Sequence, residues 1–94
     1  MSIDIHKLIN GRADTHLLSI NDSEYSELLP AFERYQSKTG CCIDQYGDLK
    51  LSSGVQPLID SIEAVGVEAK IYDTLLKVLK QSEVSDYGII FVGD

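Results

Sequence analysis

The run Gly88-Ile89-Ile90-Phe91-Val92 is unbroken, apolar and rich in β-forming residues, the pattern of a strand covered on both faces. A buried strand needs a neighbour to satisfy its main-chain donors and acceptors. The compact apolar segment at 16–20 (HLLSI), ahead of the turn-and-cap pair Asn21-Asp22, is the candidate. Pairing 16–20 with 88–92 brings both halves of the chain into one short sheet, on which the remaining segments pack as helices. The expected fold is therefore α+β: one small, helix-rich domain over residues 1–94.

Four segments read as helices. Residues 2–10 place Ile5, Leu8 and Ile9 at helical spacing, with Ser2 as N-cap and Gly11 as the left-handed stop. From Ser23 to about Lys38, Tyr25, Leu28, Leu29, Phe32 and Tyr35 form one apolar face, closed by Gly40. Pro30 inside this segment removes a ladder hydrogen bond, so the helix either kinks there or begins near Leu29. Ser53-x-x-Gln56 is a capping-box pattern ahead of Val55, Leu58, Ile59, Ile62 and Val65, with Pro57 in the first turn. Gly66 followed by Val67 reads as its stop. Ile71, Tyr72, Leu75, Leu76, Val78 and Leu79 give a broad stripe on a last helix. Residues 41–51, centred on Gly47-Asp48, read as a hairpin-like loop or two short extended pieces.

Charge narrows the function. Fifteen acids against eight bases give a formal charge of -7 in 94 residues, which disfavours nucleic acid and anionic membrane surfaces as ligands and favours a basic partner. The acids are clustered. Asp14, Asp22, Glu24, Glu27 and Glu33 run without an intervening base, as do Glu83, Asp86 and Asp94. A solvated acidic face that keeps a small protein in solution explains such clusters as well as a binding face does. The two cysteines, Cys41 and Cys42, are adjacent and so poorly placed to bridge each other. With no signal-peptide pattern in residues 1–10 and no apolar run long enough to span a bilayer, a cytoplasmic location is expected.

No motif announces catalysis. Asp44, Tyr46 and Asp48 have the alternate spacing of a calcium loop, but Gly47 falls one place early and Val55 stands where the closing Glu is needed. Asp44 and Asp48 are better read as caps of the turn. His6 and His16 lack chelating spacing and read as unrelated residues, so no metal and no cofactor are expected. Cys42 with His16 is a formal nucleophile pair without an orienting third group. The chain is expected not to be an enzyme. Tyrosines flanked by acids suit a hot spot for a basic protein, because the ring anchors while the charges steer. Tyr25 belongs to a helix core stripe, which leaves Tyr46 and Tyr87. The expected partner-binding residues are Asp44, Tyr46 and Asp48, with Glu83, Asp86 and Tyr87 as a second edge.

Thr39-Gly40, Ile43-Asp44-Gln45-Tyr46-Gly47-Asp48, Leu51-Ser52 and the closing Gly-Ile-Ile-Phe-Val-Gly-Asp together resemble the small acidic immunity proteins of bacterial contact-dependent inhibition and related polymorphic toxin systems. The likeness spans about the last two-thirds of the chain. It implies an antitoxin that binds one cognate toxin domain, frequently a basic nuclease, and performs no chemistry itself. On this reading the partner is a protein, with no direct nucleic-acid or membrane contact, and the chain is a monomer or weak homodimer. The competing class is a small self-associating regulatory or adaptor module that dimerises through the stripe from Ile71 to Leu79 or through an exposed edge strand.

Overall fold

The computed structural model describes residues 2–44, 46–52, 54–66 and 69–93. In chain order the elements are β1 (Ile3–Ile9), β2 (Arg12–Ile20), α1 (Asp22–Thr39), β3 (Asp48–Leu51), α2 (Gln56–Val65), α3 (Lys70–Ser85) and β4 (Gly88–Gly93). The strands form one antiparallel sheet in the order β2-β1-β4-β3. The α+β class read from the sequence is the observed one.

The N-terminal segment departs from expectation: residues 3–9 are a strand, not a helix. Ile3 and Ile5 alternate with Asp4 and His6 in the period of a half-buried strand. Asn10 and Gly11, at φ 53° and 76°, form the two-residue turn that returns the chain as β2, with Ile9 opposite Arg12. This strand alters the sheet as well. The segments 16–20 and 88–92 share it but do not pair, because β1 lies between them: Ile5 faces Leu18 on one side and Phe91 on the other.

Alternation divides the sheet into two faces. Ile3, Ile5, Ile20, Leu51, Ile89 and Phe91 point to the side occupied by the helices and join Leu28, Phe32, Leu58, Ile62, Ile71, Tyr72, Leu75 and Leu79 in one core. Asp4, His6, Ser19 and Ile90 alternate with them and so stand on the face the helices leave bare. Ile90 is buried by its strand neighbours yet lies outside that core.

The helices obey local rules. Asn21 caps α1 through a reciprocal capping box with Glu24, at 2.9 and 3.0 Å. The helix runs through Pro30 to Gly40, whose φ of 79° ends it. Pro30 is exposed, so its ring meets solvent, and α1 does not restart at Leu29. Pro57 sits in the first turn of α2 and Gly66 closes it at φ 66°, both as expected. The expected cap Ser53 is not the N-cap of α2, because the helix begins at Gln56 with Val55 in the cap position; the Ser53 side chain and the contact through Val67 lie outside the described residues. The stripe Ile71, Tyr72, Leu75 and Leu79 is buried in the core of its own chain, so it is not the free dimer face that a self-associating module would use. No helix among the described residues is long and apolar enough to cross a membrane.

Candidate functional site

The loop between α1 and β3 presents Asp44, Tyr46 and Asp48. One Asp44 carboxylate oxygen accepts a hydrogen bond from the Tyr46 N–H at 3.0 Å, the local side-chain turn that this spacing implies. Asp48 begins β3 opposite Val92 and accepts from the Gly93 N–H at 3.3 Å. That N–H also donates to the Gly47 carbonyl at 3.1 Å. Both ends of the loop are thereby fastened, while the Tyr46 side chain between them is 68% exposed. A large amphipathic ring exposed to water offers area that a partner can bury.

A helix tyrosine docks on this loop. The Tyr25 hydroxyl donates to the Ile43 carbonyl at 3.0 Å, docking α1 on the loop. Burial raises the Tyr25 phenol above its ordinary value, and the neighbouring charges of Asp44, Cys42 and Glu33 add to the effect. Asp44 and Glu33, eleven positions apart in sequence, thus act on the same hydroxyl. As expected, Tyr25 itself is half-buried and packs against the core and the Phe32 ring.

The second expected edge is built differently. Glu83 Oε1 accepts from the Val55 N–H at 2.5 Å and so caps α2 from α3. Asp86 is the left-handed C-cap of α3, at φ 57°, with its N–H directed to the Ser82 carbonyl. Tyr87 is not a free ring: it is half-buried against the core, with the Lys7 ammonium 4.6 Å above its centre. Tyr87 and Asp48 lie toward opposite ends of β4, and the five residues from Tyr87 to Val92 span about 17 Å at strand rise. The structure therefore gathers Asp44, Tyr46 and Asp48 into one group and leaves Glu83, Asp86 and Tyr87 apart, engaged in holding elements together.

On the bare face of the sheet stands a group that sequence spacing concealed. His6 and His16 are cross-strand partners with ring centres 5.1 Å apart. Ser19 Oγ donates to Asp4 Oδ1 at 2.7 Å, and His16 Nε2 lies 2.8 Å from the same Oγ. The composition resembles a hydrolase triad but the order does not. Here the serine hydroxyl donates to the carboxylate, whereas in a triad it donates to the imidazole. Cys42 follows α1 and is exposed, and the partners of His16 are Ser19, Asp4 and His6. A strand reading of residues 3–9 and the Asn10-Gly11 turn would have revealed the histidine pair.

Two shallow hollows mark the surface. One of about 310 Å³ lies by Leu8, Lys50 and Gly88, and another of about 510 Å³ lies between α1 and α2 by Arg34, Lys38 and Asp60. None of the six expected binding residues lines either. In comparison with known proteins, the chain matches no protein family, and neither the curated proteins nor the solved structures give a match.

Proposed function

We propose that this chain is an immunity protein that works in the cytoplasm by binding and neutralising a cognate, basic toxin domain, with Tyr46 as anchor and Asp44 and Asp48 as the acids beside it. The observation that carries the reading is the 68% exposure of Tyr46 on a loop pinned at both ends. A tyrosine has few rotatable bonds and so loses little side-chain entropy on binding, which suits a hot spot. The net charge of -7 supports it, since an acidic surface accelerates capture of a basic protein and competes with the phosphates a nuclease would bind. The proposed role is binding, without catalysis or cofactor. A second reading, a self-associating module, is favoured by the outer edges of the sheet: among the described residues β3 has β4 as its single strand neighbour and β2 has β1. Two register shifts along that pairing irregularise the edge, as protected edges are.

The test is capture of the tagged protein from a lysate of its own cells, with mass spectrometry of what is retained. A stoichiometric basic toxin fragment is expected, and Tyr46→Ala should weaken its binding by about 2 kcal/mol or more. Replacing Asp44 or Asp48 by Asn should mainly slow association. Retention of the protein alone, with a dimer by sedimentation at micromolar concentration, would replace this reading with the self-associating one.

A further inference from the structure

The hydrogen bonds around His6 and His16 decide which nitrogen of each ring carries hydrogen. His6 Nδ1 lies 3.2 Å from the main-chain oxygen of Asp14. A carbonyl only accepts, so Nδ1 bears the hydrogen and Nε2 bears the lone pair. Ser19 has one hydroxyl hydrogen, which goes to Asp4 Oδ1. At 2.8 Å from that oxygen and 3.6 Å from Asp4 Oδ1, His16 Nε2 is the donor, and in the neutral ring Nδ1 keeps the lone pair. Among the described residues neither lone pair has a hydrogen-bond partner. Two neighbouring imidazoles are thus each anchored through one nitrogen and open at the other. One is held by a backbone carbonyl and one by a hydroxyl that a carboxylate fixes, and metal-binding histidines are oriented in the same manner.

We infer that His6 Nε2 and His16 Nδ1 form a two-imidazole site for a borderline divalent cation of the zinc or nickel kind, with water in the remaining positions. Metal–nitrogen bonds of about 2.0–2.1 Å at a tetrahedral angle place the ring centres about 5 Å apart. The observed separation is 5.1 Å. Nitrogen donors disfavour calcium and magnesium, which take oxygen. Among the described residues no group of three or more His, Cys, Asp or Glu side chains is arranged to hold a metal. Asp4 is engaged with Ser19, so it orients His16 instead of binding the ion. Two protein ligands make a site of modest affinity, and its effect is to clamp β2 to β1, independently of the proposed toxin-binding loop.

The experiment is a titration of the full-length protein with zinc chloride and, separately, nickel chloride. It is followed by calorimetry and by imidazole nitrogen chemical shifts, with Cys42→Ser carried throughout to remove the exposed thiol. One ion per chain is expected, with the principal shifts at His6 Nε2 and His16 Nδ1. His6→Ala and His16→Ala should each weaken binding at least tenfold, and Ser19→Ala several-fold. His6→Gln, which keeps a polar side chain on the strand, should match His6→Ala. Unchanged affinity in a folded His6→Gln, His16→Gln double variant, or shifts at the opposite ring nitrogens, would overturn the site.

Discussion

The Glu83 carboxylate accepts the Val55 N–H at 2.5 Å across 28 positions of sequence. Val55 offers no side chain to cap α2, so α3 supplies the missing negative group at the positive end of that helix. Glu83→Ala should lower unfolding free energy by about 1–2 kcal/mol, and Glu83→Gln by less, since the amide oxygen still accepts. Urea unfolding followed by far-ultraviolet dichroism measures both.

Gly88 is required for a steric reason and not a conformational one. A Cβ at this position would lie 3.0 Å from the Leu51 carbonyl oxygen and 3.2 Å from the Ser52 Cα. Both are main-chain atoms, which cannot rotate aside. Gly88→Ala should cost about 1–3 kcal/mol, whereas Gly47→Ala, with nothing within 4 Å of the added atom, should be far milder. The difference in thermal midpoint between the two variants is the measurement.

Phe91 lies at the middle of the sheet, opposite Ile5 on one neighbour and Leu49 on the other, and is 1% exposed. Removing its ring opens a cavity that the paired strands cannot close, so Phe91→Ala should cost about 3–5 kcal/mol. A domain of this size has about 5–15 kcal/mol in total. Loss of the cooperative urea transition, or a large fall in its midpoint, is the expected result.

Three phenols are held above their ordinary value of 10.0, each chiefly by burial. The charge of Asp44 adds to the shift at Tyr25, Cys41 at Tyr35, and Glu27 at Tyr72. Tyr72 also donates its hydroxyl hydrogen to the Glu27 carbonyl, which ionisation would abolish. A group whose pKa is raised by folding contributes stability that is complete below its unfolded value and declines as pH climbs through the folded one. Stability should therefore fall above pH 10. A spectrophotometric titration should show phenols ionising late, together with unfolding. Tyr72→Phe should titrate with one fewer late phenol and lose about 1 kcal/mol at neutral pH.

The chain's own pattern determined the three long helices, since apolar spacing, Asn21, Gly40 and Gly66 act over a few residues. It also determined the C-terminal strand, because four consecutive apolar β-formers, Ile89 to Val92, can be satisfied in few other ways. Residues 3–9 carry both a helical and an alternating pattern. Their state was decided by the Asn10-Gly11 turn and by β4, whose paired residues lie some eighty positions away. The same distinction runs through the surface. Tyr46 is exposed because its immediate neighbours form a turn, and that was legible. Tyr87 is covered by Lys7, Glu83 is occupied by Val55, and His6 meets His16 only across a strand pair. Local pattern fixes how a segment coils and where it turns, but which side chains remain available to a partner is set by long-range pairing, because burial and hydrogen bonding belong to the packed chain and not to the segment.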